Sequence, residues 1–210
     1  VIKKKADRSE QMVQDICRDI KSLDFAKRNL TLPITALKRL QMLVTATEQL
    51  GVMARERMYA EAAHLLQAVK QLLAHFEAYR GIKKVDALRE IVDETSSDLR
   101  ARVFEDFNAL SAQEGTMPHS QQEALSGACA VVDALGPEVR KEMVAWFSNW
   151  QFAPYKHAFQ PYGDAGLLEK TELRYSWHRK LLRQFDDQFA SLFPPSWEVG
   201  LAITRDFCSI

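Results

Sequence analysis

Glycine is scarce in this chain, 8 of 210 residues, and strand-like alternation of Val, Ile and Thr with polar residues is almost absent. Both deficits argue against a sheet-rich fold, and what fills the space is Ala, Leu, Glu, Gln, Lys and Arg, a helical vocabulary. An excess of either charge is also lacking, with 28 Lys plus Arg against 28 Asp plus Glu. That balance argues against nucleic acid as the main ligand, which would normally leave a basic surplus. The one basic run, Lys3, Lys4 and Lys5, reads as a solvated helix end rather than a phosphate or lipid contact. Apolar runs approaching ~18 residues are missing too, so no membrane-spanning segment is expected, and no signal peptide stands at the front. Cysteine is limited to Cys17, Cys129 and Cys208, far apart and without CxxC spacing, which suits a reducing compartment. The sequence starts at Val1 and ends at Ile210 without a helix stop signal, and is expected to be a fragment of a longer chain.

Catalytic and cofactor signatures are missing as well. There is no P-loop, dinucleotide glycine pattern, zinc-protease motif, nucleophile elbow or calcium loop, and no cofactor is expected. His64 and His75 could share a side of one helix, but their separation of about 16 Å is too wide for one metal ion. Cys129 lies in an apolar helix face, where a small buried hydrophobe is preferred to a nucleophile paired with a histidine. Glu169 with Glu172, and Asp186 with Asp187, have the spacing of solvated helix faces. The aromatic series Trp146, Phe147, Trp150, Phe152, Tyr155, Phe159 and Tyr162 could stack nucleobases. With Lys156 as its only nearby cation, it reads instead as helical core.

What is present is periodicity. From Ala6 to Leu50 no glycine occurs, and Val13, Ile16, Ile20, Leu23, Leu30, Ile34, Leu37 and Val44 recur at the alternating three- and four-residue steps of a coiled-coil seam. Lys27 and Gln41 fill its two skipped positions. So narrow a stripe cannot build a core alone and calls for facing helices. Pro33 interrupts the pattern without shifting its phase, and no polar loop surrounds it. One helix bent at Pro33 is therefore expected in preference to two, extending about 68 Å from Ala6 to Leu50.

The spacing then predicts a cap at Gly51 and a returning helix through Tyr79 with Met58, Ala62, Leu66, Val69, Leu73 and Phe76 on its apolar face. A third helix follows Gly81. Residues 111–119 form the expected loop and subdomain boundary. Ser120 with Glu123 has capping-box spacing, Pro137 suits a helix start, a long helix is expected from Asp164 or Leu167 to Leu192, and Ser196 is expected to cap the last one. The expected class is all-α: a coiled-coil segment at 1–50, a hairpin plus third helix at 52–110, and a bundle at 120–210.

Several stretches carry a resemblance. DICRDIKSLDFAKRNLT (15–31), YAEAAHLLQAV (59–69), HFEAY (75–79), LSGACAVVDALGPEVRKE (125–142), RYSW (174–177) and FPPSW (193–197) resemble, in order, the N-terminal part of the vacuolar protein sorting-associated protein 53 family. The likeness spans nearly the whole chain and is weakest at 80–120 and 152–170. It departs at Leu32 and Pro33, where the family pattern has small polar residues. The resemblance implies a non-enzymatic subunit of the Golgi-associated retrograde protein (GARP) and endosome-associated recycling protein (EARP) tethers, with a CATCHR-type helical rod. It further implies pairing with the other tether subunits through N-terminal coiled coils, contacts with SNARE proteins and small GTPases, and peripheral attachment on the cytosolic face of trans-Golgi and endosomal membranes. Under it, Ile16, Ile20, Leu23, Leu30, Ile34, Leu37 and Val44 become the candidate subunit interface. A homodimeric adaptor whose seam pairs with itself is the alternative.

Overall fold

The structure, a computed structural model, describes residues 2–111, 118–159 and 171–209, with side chains from Arg8 onward and Ser111 excepted. Among the described residues the chain is all-α, with seven α-helices and no strand. It divides into two units, Val1–Thr45 and Ala46–Ile210.

The first unit belongs to α1 (Ile2–Arg55), which runs unbroken through Pro33. Pro33 has no N–H for the Asn29 carbonyl, so one rung of the ladder is missing there. Threonine hydroxyls flank the gap: Thr31 Oγ1 donates to the Lys27 carbonyl at 2.7 Å, and Thr35 Oγ1 to the Thr31 carbonyl at 2.9 Å. Such back-bonding keeps Thr compatible with a helix interior. Burial rises only at the end of this unit, where Leu40 and Val44 are half-buried and Leu43 is fully buried.

The second unit opens with the last turns of α1. Gly51, the expected cap, lies inside the helix, which continues to Arg55. The stop comes at Arg57, held at φ 58°, with the Met58 N–H donating to the Met53 carbonyl at 3.1 Å. That six-to-one bond is the usual glycine C-terminal motif, adopted here by a residue with a Cβ. The strain this costs, about 1 kcal/mol, is offset by long-range partners: Arg57 Nη2 reaches Glu105 Oε2 at 2.9 Å, and Nη1 pairs with Asp106.

Next come α2 (Tyr59–Ala74), a 3-10 turn at Glu77–Tyr79 and α3 (Lys83–Ser111). The returning helix is thus shorter than the spacing suggests, and Gly81 at φ 94° turns the chain into α3. α4 (His119–Leu135) starts behind the extended backbone of Pro118, whose carbonyl accepts the N–H groups of Gln121 and Gln122 at 3.0 Å. Ser120 is therefore already helical, and the capping box expected with Glu123 is not made. Gly136, at φ 138°, hands the chain to α5 (Pro137–Ala158) with Pro137 in its first turn. α6 (Thr171–Gln188) ends earlier than the expected Leu192, because Phe189 and Ala190 both donate to the Phe185 carbonyl and turn the chain inward. The expected start of this helix, at Asp164 or Leu167, lies outside the described residues, as does Tyr162. Ser196 sits within a 3-10 turn at Pro195–Trp197 and does not cap α7 (Val199–Ser209); Glu198, in the left-handed region, makes the entry.

α4 packs against α2, α3 and α5, and α7 against α5 and α6. Residues on both sides of 112–117 therefore share one core, because α4 carries an apolar face (Leu125, Ala128, Cys129, Val132) that α2 matches with Ala62, Ala63, Leu66 and Val69. At the other end Phe147 lies among Phe185, Phe189 and Phe193, with ring centroids 6.0, 5.5 and 4.8 Å away. Of the aromatic series Phe147, Phe152 and Tyr155 are buried in the core, whereas Trp146, Trp150 and Phe159 are half-buried.

Candidate assembly surface

Six of the seven candidate interface residues lie on the first unit of α1 with their side chains in solvent: Ile16, Ile20, Leu23, Leu30, Ile34 and Leu37. Ile34, the least exposed, keeps 50 % of its surface and Leu23 68 %. Val44, the seventh, is half-buried. Val13, at the head of the same stripe, is exposed as well. Helical geometry puts all of these on one side, with about 32 Å from Ile16 to Leu37.

Completing the burial of a Leu or Ile side chain contributes roughly 1–2 kcal/mol, and monomeric proteins rarely leave a contiguous apolar stripe in water. Around the stripe the helix is polar and charged. Asp15 and Arg18 pair at 2.8 Å one turn apart, an exposed contact that adds little. What the surface presents is an exposed apolar stripe between polar and charged residues, with the free thiol of Cys17 beside Ile16.

Sequence spacing missed two residues. Phe25 and Leu32, seven apart, are among the most exposed apolar side chains at 69 % and 72 %, and they fall on the side of α1 away from the seam. Their own seven-residue step was the available signal.

The chemical candidates come out structural. Cys129 is fully buried, its Sγ 3.6 Å from the Leu192 carbonyl, and burial pushes its thiol up to about 12. A thiol so rarely ionised is a poor nucleophile. His64 and His75 are exposed, as are Asp186, Asp187 and Glu172, while Glu169 lies outside the described residues. No cluster of metal-ligating side chains occurs among the described residues. A groove of about 670 Å³ is bordered by Gln122, Trp150, Pro154, Trp177, Lys180 and Phe189, among others. Across one side of it Gln122 Nε2 donates to Ser191 Oγ at 2.6 Å. Its polar groups are amides, a hydroxyl and solvated charges, with no nucleophile and base in contact. No helix among the described residues is long and apolar enough to cross a membrane.

A chain that is all-α among its described residues, with an exposed apolar stripe along its first helix, is the class this geometry defines. The family model described as "Vps53, N-terminal" matches residues 1–210, and the chain belongs to that family. It is 46 % identical over 207 residues to vacuolar protein sorting-associated protein 53 A of Arabidopsis thaliana, covering 99 % of this chain and 25 % of that protein. It is 30 % identical over 211 residues to the vacuolar protein sorting-associated protein 53 homolog of Caenorhabditis elegans, covering 100 % and 26 %. The Saccharomyces cerevisiae vacuolar protein sorting-associated protein 53 is 24 % identical over 206 residues. The chain thus spans about a quarter of the length of these relatives. No solved structure matches.

Proposed function

We propose that this chain is the assembly segment of a vesicle-tethering subunit in endosomal sorting, acting in endosome-to-trans-Golgi retrograde transport within the GARP or EARP complex. The observation that carries the reading is the seam: six apolar side chains at coiled-coil spacing on one side of α1, all at least half exposed. A helix with that surface gains stability when partner helices cover it, and membership of the Vps53 N-terminal family makes other tether subunits the natural source. Ile16, Ile20, Leu23, Leu30, Ile34, Leu37 and Val44 form the subunit contact in this reading. The Ala46–Ile210 unit is the first part of the helical rod. SNARE proteins and small GTPases are the further partners the reading implies, with membrane contact made peripherally, through them, on the cytosolic face of Golgi and endosomal membranes.

The test is co-expression with the candidate tether subunits. Substituting Ile16, Leu23 and Leu37 together by Asp is expected to abolish co-purification, since three charges would then need burying in the pairing layer. Unchanged co-purification overturns the reading.

A further inference from the structure

The turn between α2 and α3 runs against local preference in several places. Arg80 at φ −59°, ψ 138° and Gly81 at φ 94° give a type II turn, closed by the Ile82 N–H donating to the Tyr79 carbonyl at 3.3 Å. A turn of this type brings its first and fourth residues to within about 7 Å, so Tyr79 and Ile82 stand side by side. Both are large and apolar, and they keep 45 % and 50 % of their surface in solvent. Ile82 is also the residue directly before α3, its carbonyl accepting the Val85 and Asp86 N–H groups at 2.8 and 3.1 Å. That helix-capping position favours Ser, Thr, Asp or Asn and disfavours Ile. Lys83 and Lys84, the first two residues of α3, are exposed at the helix end whose dipole favours acids. Neither lysine makes an ion pair among the described residues. The nearby acids are engaged elsewhere: Glu77 pairs with Arg80 at 2.6 Å and Arg89 at 3.1 Å, and Asp86 accepts the Gly81 N–H at 3.2 Å. Local conflicts of this kind concentrate where a site serves an external partner.

We infer that this turn is a membrane-contact site: Tyr79 and Ile82 enter the interfacial layer of an anionic bilayer, and Lys83 and Lys84 meet lipid phosphates beside them. The inference goes beyond the assembly reading, in which membrane contact runs through partners, and it uses no residue of the seam.

The chemistry and size of the patch select a bilayer over a protein. Two side chains fall far short of the roughly 800 Å² per partner that a stable protein interface buries. A membrane needs no matching surface, only apolar depth and charge, and apolar side chains beside basic ones supply both. Tyrosine suits the interface because its ring is apolar and its hydroxyl stays wet. The buried Phe76 backs the Tyr79 ring, with centroids 5.9 Å apart. At Gly81 a Cβ would meet no atom within 4 Å, so the crest of the turn is open.

The experiment is flotation of the whole chain with vesicles of phosphatidylcholine containing about one-third phosphatidylserine. The triple Ile16→Asp, Leu23→Asp, Leu37→Asp variant is run beside it, so that adsorption through the exposed stripe of α1 is read separately. Both are expected to float. Lys83→Glu with Lys84→Glu is expected to lower vesicle affinity about twentyfold or more, and Ile82→Ser about fivefold. Neutral phosphatidylcholine vesicles should leave the chain unbound, and about 1 M salt, with a screening length of about 3 Å, should release it. These turn substitutions install what the helix end prefers, so urea midpoints equal to or above that of the unmodified chain show that lost binding is not unfolding. Absence of flotation, unchanged binding by the turn variants, equal binding to neutral vesicles, displacement by soluble glycerophosphoserine, or binding lost only with the seam substitutions each overturns the inference. Co-purification with tether subunits reads the seam alone, so the two readings fail separately.

Discussion

Gly127 of α4 lies against Ala60 of α2 so closely that a Cβ on the glycine would stand 3.2 Å from the Ala60 backbone nitrogen. The atom it would meet is main chain in a regular helix, which cannot swing aside as a side chain could. The missing Cβ is what lets α2 and α4 share their small residues, Ala62, Ala63 and Ala128, at the centre of the core. Gly127→Val is therefore expected to destabilise the Ala46–Ile210 unit by about 2–3 kcal/mol, typical of overpacking at a site that cannot relax. A fall in the urea midpoint at unchanged slope is the expected readout, and an unchanged midpoint refutes it.

Gly51 predicts the opposite sign. It lies inside α1, its Cβ direction meets only Arg55 Nη1 at an ordinary 3.6 Å, and the helix stops at Arg57 instead. Nothing in the structure requires glycine there, so Gly51→Ala is expected to stabilise by about 0.5–1 kcal/mol through helix propensity and the lower entropy of the unfolded chain. Urea denaturation of both glycine variants side by side gives the contrast.

Thiol chemistry separates the three cysteines. Cys17 and Cys208 are exposed and Cys129 is buried, with its thiol raised to about 12 by burial. Alkylation at pH 8 is expected to modify Cys17 and Cys208 quickly, with Cys129 reacting only as the unit opens. Rapid native labelling of Cys129, followed by peptide mass spectrometry, would return it to consideration as a reactive group.

His178 stacks flat on Phe207, with ring centroids 4.2 Å apart and planes within 5°. Both of its ring nitrogens are buried without a hydrogen-bond partner among the described residues, and burial lowers its pKa below the ordinary 6.5. A proton then binds the unfolded chain more readily than the folded one. Above pH 6.5 the imidazole is neutral in both states; as pH falls below that value the unfolded state charges first, and stability drops until the folded pKa is passed. Denaturation midpoints at pH 7.5 and 5.5 are expected to differ less for His178→Leu than for the unmodified chain. An equal drop in the two proteins assigns the pH dependence elsewhere.

How far the fold could be read from composition and spacing is clearest at the helix ends. That the chain is helical, that Pro137 begins a helix and that Gly81 and Gly136 sit at turns follow from local chemistry, and the structure agrees. Gly51, Ser120 and Ser196 carry equally good local signals that are overridden. The stop at Arg57 depends on Glu105 and Asp106, nearly fifty positions away, and the turn after α6 serves Phe193, which packs on Phe147 and Phe107. Such partners have no trace in a local window. The seam was legible because its spacing is itself local. Phe25 and Leu32 belong to a separate seven-residue step on the other side of α1, which the spacing of the seam does not include.

Pro33 remains the sharpest local conflict between sequence and structure. A proline in a helix interior costs about 3 kcal/mol, yet α1 passes through it unbroken, with Thr31 and Thr35 bonding back to the carbonyls of Lys27 and Thr31. The seam keeps its phase there, since Leu30 and Ile34 stand one turn apart on the same exposed side. The cost therefore falls on local helix stability and leaves the order of the seam residues intact. Pro33→Ala restores the N–H that the Asn29 carbonyl lacks and is expected to raise the helical signal at 222 nm. Amide exchange should slow at residues within a turn of position 33, with little change in the Ala46–Ile210 unit. Absence of any gain in helicity or protection would mean that the segment around Pro33 is not a continuous helix in solution.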